Sequence, residues 1–287
     1  MNDKLIDAFI ETIRKEFREK YIFKDENKDT FEEYRDVYVD ALHQGYLDAC
    51  RTIKGASKVD DDKKREVLNK TAEEIKLYLQ NGGDFKHKHN EWCNNLINEY
   101  YKTADIKITY GHAQKIINMA FKYLYCIYYK AEKLDKGMIN KFKQCHMPLD
   151  SFSLEWFYRY YKKNNLKLEI KVGDKEINRE LFGKDKSIKK DSISSWSSMK
   201  SIGDYDKEYP YEFYCRNIET YCNDNEIYPL KLDFIVWEKM QKIMAAEDFI
   251  KTFGGTPEKG VSYDWGKLDE TLKTRLEEVK EIAFKIS

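Results

Sequence analysis

YGHAQKIINMAFKYLYCIYYKAEK, residues 110–133, is the stretch whose reading decides the fold. Between His112 and Lys133 it has no proline, and Ile117, Ala120, Phe121, Leu124 and Tyr128 recur three and four positions apart. At ~100° per residue these side chains fall on one stripe, which predicts a long helix with one face in a core. Lys115 and Lys122 fall together on the opposite side, flanked by Asn118 and Met119, so the predicted helix turns two lysines away from that core. Gly111, just ahead, permits a tight turn. The first amides of the helix would then point outward, an arrangement that can hold a phosphate.

Four helices are expected upstream. The first runs from about Asp3 to Glu19. The second follows the capping signal Thr30-Phe31-Glu32-Glu33 towards Ile53. A charged helix covers about Asp61 to Gln80 and stops at Asn81-Gly82-Gly83, and a fourth covers Phe85 to Tyr101. Residues 104–109 connect it to the central helix. Downstream, Pro148 stops one element and Asp150 starts a helix that reaches Lys163. Leu166, Leu168, Ile170 and Val172 alternate up to Gly173-Asp174, which predicts a small hairpin within 166–178. Residues 184–198 are polar and serine-rich, a surface loop. Helices follow over about Tyr211–Cys222 and Leu232–Phe253. Gly254-Gly255-Thr256-Pro257 breaks the chain, and a last charged helix spans about Leu268–Ile286. The expected fold is mainly α, one helical domain over residues 1–287. It would have two helical subdomains flanking a cleft and a hairpin-and-loop insertion over 164–200.

Composition narrows the function classes. Hydrophobic residues make up 41% and aromatics 15%, enough for a sizeable core, and only 4 prolines interrupt helices. The 51 basic residues are matched by 51 acidic ones, which excludes a general polycation but leaves room for a local basic groove. Cys50, Cys93, Cys126, Cys145, Cys215 and Cys222 show no C-x-x-C spacing, and several sit in apolar helical patterns. The opening Met1-Asn2-Asp3-Lys4 lacks the pattern of a signal peptide, and lysines interrupt every apolar stretch before a membrane span's length. A reducing cytoplasm and no membrane are expected.

Two pieces carry the chemistry: Tyr110-Gly111-His112-Ala113-Gln114-Lys115 and Cys145-His146-Met147-Pro148-Leu149-Asp150-Ser151. Aspartate at a helix start accepts bonds from the first amides and is favoured by the helix dipole. A fixed carboxylate facing a lysine suits amine chemistry at a sugar carbon: it can take the ammonium proton and stabilise developing positive charge. Together the pieces resemble the helix–hairpin–helix DNA glycosylases, in which a hairpin glycine precedes a nucleophilic lysine and a loop ends in Pro-hydrophobic-Asp. The two pieces lie 35 positions apart, longer than in typical members, and the lysine helix and Pro-hydrophobic-Asp loop most resemble those of the archaeal 8-oxoguanine DNA glycosylase branch.

The resemblance implies that Lys115 is the nucleophile and Asp150 its assisting acid. Gly111, His112, Gln114 and Lys122 would contact DNA. Asp233 and Trp237, four apart on a late helix, would hold the flipped base. It also implies a monomer that acts on double-stranded DNA carrying an oxidised or otherwise modified base, 8-oxoguanine first. Strand cleavage by β-elimination could follow, and no cofactor or metal is needed.

Other readings stay beside it. One is a helical module that binds nucleic acid or a protein through the Lys115/Lys122 face without chemistry. Another is a defence protein that acts on modified viral bases. Asp150 is a helix cap in every case, Asp233 fits the first turn of its helix, and Trp237 fits a core. His87, His89 and Cys93 read as a solvated stretch, and Trp196, among serines, as an anchor for its loop.

Overall fold

The computed structural model describes residues 3–23, 36–56, 60–184 and 186–253. The Thr30 capping signal, the break at 254–257 and the helix expected over 268–286 lie outside these residues. Among the described residues the fold is mainly α, with ten α-helices and a two-stranded antiparallel sheet. The helices are α1 (Asp3–Thr12), α2 (Lys15–Tyr21), α3 (Val37–Ala49), α4 (Asp61–Asn81), α5 (Phe85–Ala104), α6 (Tyr110–Lys130), α7 (Lys136–Lys143), α8 (Ser151–Lys163), α9 (Tyr211–Asp224) and α10 (Pro229–Phe253). None of the helices in the described residues is long and apolar enough to cross a membrane.

Most helix starts follow the sequence through their caps. Side-chain oxygens of Asp60, Asp84, Thr109, Asp135 and Asp150 accept from first-turn amides of α4, α5, α6, α7 and α8. Gly82, at φ 76°, ends α4 in a backbone conformation that other residues resist. The helix expected over 3–19 is instead two helices. The Thr12 hydroxyl donates to the Phe9 carbonyl at 2.6 Å and Ile13 N donates to Ile10 O, so the last turn tightens and Arg14 leaves in an extended conformation. Helix α7 lacks an expectation in the sequence reading, because eight residues with few apolar positions give little periodicity.

Helix α6 is the axis of the molecule. It packs against α3, α5 and the turn at Trp196–Ser198, while α4 bridges α3 and α5, and α10 packs on α1, α7, α8 and α9. Every residue from Tyr110 to Tyr128 is buried. The expected two-faced helix is therefore corrected to one enclosed on all sides. Gly45 permits this on the α3 side, because any larger residue there would overlap the Ile116 carbonyl oxygen. Phe121 of α6 meets Tyr78 and Phe85 edge to face and stacks on Trp92, each burial worth roughly 1.5–3 kcal/mol.

The hairpin is present but short: β1 (Lys171–Val172) pairs with β2 (Lys175–Glu176) around Gly173 at φ 59°. The serine-rich segment that follows is no free loop. The Gly111 amide donates to the Met199 carbonyl at 3.0 Å, and the Tyr209 amide donates to Ser192 O. These bonds lay residues 195–199 across the start of α6.

Candidate active site

The start of α6 is assembled from three segments. Thr109 Oγ1 accepts from the His112 amide at 3.1 Å, and the Thr109 amide donates to His112 Nδ1 at 3.1 Å, a reciprocal cap. His112 Nε2 lies 3.0 Å from Thr52 Oγ1, and Thr109 Oγ1 donates to the Ser197 carbonyl. Burial holds the His112 imidazole down, at about 4, with the nearby Lys115 charge acting in the same direction and the Thr52 contact opposing it. Any side chain at Gly111 would overlap the Trp196 carbonyl oxygen. The expected open, phosphate-binding helix end is thus corrected: the Gly111 and His112 amides are both spent inside the protein.

Gln114 is fully buried and fixes the loop that ends at Asp150. Its Nε2 donates to Leu149 O at 2.8 Å and Gly111 O at 2.9 Å, and its Oε1 accepts from the Leu149 amide at 3.2 Å. Three of the four DNA-contact expectations, Gly111, His112 and Gln114, are replaced by these structural bonds.

The loop delivers Asp150 with its two carboxylate oxygens divided. Oδ1 accepts from the Phe152 and Ser153 amides at 2.9 and 3.1 Å and so caps α8. Oδ2 lies 3.6 Å from Lys115 Nζ, and the two side chains are 17% and 10% exposed. Lys115 Nζ also sits 4.3 Å from the centre of the Trp196 ring, within cation–π range. The pair is therefore held from below by a capped helix start and covered from above by one aromatic ring. A cavity of about 350 Å³ has Ser151, Leu154, Tyr158, Ser194 and Trp196 among its walls; Lys115 and Asp150 are not among them, and Trp196 is the residue it shares with the Lys115 amine.

One face of α6 carries a second pair. Lys122 Nζ lies 2.6 Å from Asp233 Oδ2 of α10, with side-chain exposures of 1% and 8%. The ammonium lies 3.8 Å from the Phe9 ring centre, 4.8 Å from that of Phe234 and 5.4 Å from that of Trp237. Burial raises the Asp233 carboxyl above its ordinary range against the pull of Lys122. Asp150 pushes the same way and Lys115 opposes it, so the two pairs feel each other. Asp48 joins them: its carboxyl is raised by burial, opposed by its bond from Tyr123 and by Arg14, Lys115 and Lys122.

These positions correct two expectations. Lys122 faces the α10 carboxylate and an aromatic cage, not an outer DNA-binding face. Asp233 is buried and ion-paired with Lys122, not presented to a base edge; Trp237, half-buried, packs edge-on to Phe9. Trp196, expected as an anchor for its own loop, also covers the Lys115 amine. Its signal, a lone tryptophan inside Ser194-Ser195-Trp196-Ser197-Ser198, was legible, but the segment's path across α6 was not. His89 and Cys93 are buried, not solvated; His89 stacks on Tyr211 at 5.4 Å.

No protein-family model, no curated protein and no solved structure matches the chain.

Proposed function

We propose that the chain is a DNA glycosylase of the helix–hairpin–helix kind that uses Lys115 as nucleophile on duplex DNA carrying an oxidised or modified base, with 8-oxoguanine the first candidate. The observation that carries this reading is the meeting of Lys115 Nζ and Asp150 Oδ2 at 3.6 Å, across 35 positions of sequence, in a largely dry place. In this reading residues 110–155 are the helix–hairpin–helix and Pro-hydrophobic-Asp segment, although Gly111, expected in the hairpin turn, lies in the first turn of α6. The helices before and after it form the two lobes; the cavity of about 350 Å³ has neither Lys115 nor Asp150 in its walls, so Trp196, which borders both the cavity and the amine, has to move for an extruded nucleotide to reach Lys115.

Asp150 Oδ2 takes a proton from the Lys115 ammonium. The free amine attacks C1′, the new C–N bond forms, and the base leaves with the glycosidic electron pair and a proton. The sugar ring opens to a Schiff base, from which β-elimination of the 3′ phosphate cuts the strand. Arginine could not replace Lys115, since a guanidinium keeps its proton. The Trp196 ring covers the amine and has to swing aside or stack on the incoming nucleotide. Two features weigh against a non-catalytic basic face: Lys115 is paired and Lys122 is enclosed.

The test is borohydride trapping and product analysis on duplexes carrying 8-oxoguanine, uracil, hypoxanthine or an abasic site. The expected result is one covalent adduct at Lys115, lost in Lys115→Gln. Asp150→Asn should slow base release by about 10²-fold or more while DNA binding persists, because asparagine still caps α8. Undiminished turnover by Lys115→Gln on every substrate would remove Lys115 from the mechanism and the reading with it.

A further inference from the structure

A second cavity, of about 450 Å³, lies between α5, α9 and the hairpin. Its floor holds His89, Tyr110, His146 and Tyr211, all buried. Its rim carries Lys86, Lys171 and Arg216 against Glu169, Glu212 and Glu219, a balance that favours a neutral occupant.

The floor presents one hydrogen-bond donor whose identity is fixed by the backbone. The Leu149 amide can only donate, so the Gln114 atom that receives it is the amide oxygen. The atom of Asn118 that faces this oxygen at 3.1 Å must then be its nitrogen, and that nitrogen also lies 3.0 Å from the Tyr211 hydroxyl. An amide nitrogen cannot accept, so the Tyr211 oxygen accepts and its own hydrogen is left for His146 Nδ1 at 2.9 Å. Cys215 Sγ, also beside the hydroxyl, is the weaker acceptor. Burial, reinforced by His89 and Lys86, keeps His146 neutral, so the ring's one N–H sits at Nε2. That atom has no hydrogen-bond partner, although the side chain is only 8% exposed. An orphaned donor at this depth is costly, and a ligand that accepts from it would offset that cost.

Beside the donor stands an acceptor. Glu219 Oε2 is held by Lys86 at 2.7 Å, and Glu219 Oε1 faces His146 Nε2 at 3.9 Å, too far for a direct bond. A ring N–H next to a ring carbonyl bridges such a gap, the carbonyl accepting from His146 and the N–H donating to Glu219. We propose that this cavity binds a lactam heterocycle of the guanine, hypoxanthine or uracil kind, read on that edge by His146 and Glu219 and lined by the Tyr110 and Tyr211 rings. The chemistry is shared by a free nucleoside and by a base extruded from a strand.

Calorimetric titration of the full chain separates these sources and tests the edge. The probes are inosine, 1-methylinosine, which lacks the ring N–H, and a short single strand with one hypoxanthine. Inosine is expected to bind and 1-methylinosine to bind at least about tenfold more weakly. His146→Phe and the surface-tolerant Glu219→Ala should each weaken inosine by about tenfold. Binding of the strand alone, lost in the same variants, assigns the site to an extruded base. Equal affinity for inosine and 1-methylinosine, no binding of either nucleoside or the strand, or binding unaffected by Glu219→Ala overturns the proposal. None of these results depends on Lys115, so the site and the glycosylase reading fail separately.

Discussion

Asp233→Ala should be among the most damaging single changes in this protein, although it touches neither Lys115 nor Asp150. The variant leaves the Lys122 ammonium, 1% exposed, without its 2.6 Å partner. Stranding one member of a buried pair costs about 3–5 kcal/mol. The Phe9, Phe234 and Trp237 faces hold part of the charge, so the lower end, about 3 kcal/mol, is expected. For a domain of this size that lowers Tm by about 6–12 °C.

Lys122→Met strands the carboxyl instead. Burial already raises the Asp233 pKa, and removing Lys122 raises it further. A folded pKa above the unfolded one means that the folded state binds the proton more readily. The Lys122→Met variant should therefore regain stability as pH falls from 7 through the folded pKa, the carboxyl's charged state being the costly one. The double change Lys122→Met/Asp233→Leu replaces the pair with apolar groups and should lie within about 1 kcal/mol of the parent. Urea unfolding followed by far-ultraviolet circular dichroism on all four proteins gives the cycle, with a coupling above about 2 kcal/mol expected. A loss below about 1 kcal/mol for Asp233→Ala, or additive single and double variants, would refute the claim that the two groups form one enclosed pair.

Trp196→Ala uncovers the Lys115 amine, so reductive alkylation followed by peptide mass spectrometry should label Lys115 faster than in the parent while other lysines stay unchanged. Gly111→Ala forces the Trp196 carbonyl away and breaks the bond to Met199; a loss of about 1–3 kcal/mol with the same gain in Lys115 labelling is expected, and stability loss without added labelling counts against the cover. Gln114→Leu leaves the Leu149 amide and carbonyl unpaired in the interior and should cost about 2–4 kcal/mol in the same urea assay. Acid should destabilise the fold through His112: its pKa falls from 6.5 unfolded to about 4 folded, so its contribution is complete above pH 6.5 and is lost as pH falls towards 4. That amounts to about 3 kcal/mol, and His112→Gln should flatten this part of the stability–pH curve.

Local signals in the chain were enough for much of the helical framework. The cap Asp150 and the stop at Gly82 act within one turn of backbone, so they read the same in an isolated segment as in the folded chain. The Gly173-Asp174 turn did likewise for the hairpin. The break at Thr12 was harder to see, because a threonine side chain that bonds back to its helix looks the same in sequence as one that does not.

What the sequence by itself determined was a mainly helical chain, the capped start at Asp150, and the candidacy of Lys115 and Asp150 from their residue types and setting. Which charges meet was decided only by the tertiary structure. Lys115 and Lys122 occupy one side of α6 in sequence, yet one is covered by Trp196 from a segment 81 positions downstream and the other is sealed by α1 and α10. Periodicity records how often apolar side chains recur along a helix. It cannot record that a polar face is enclosed, because the aspartates and rings that make enclosure tolerable arrive from distant parts of the chain.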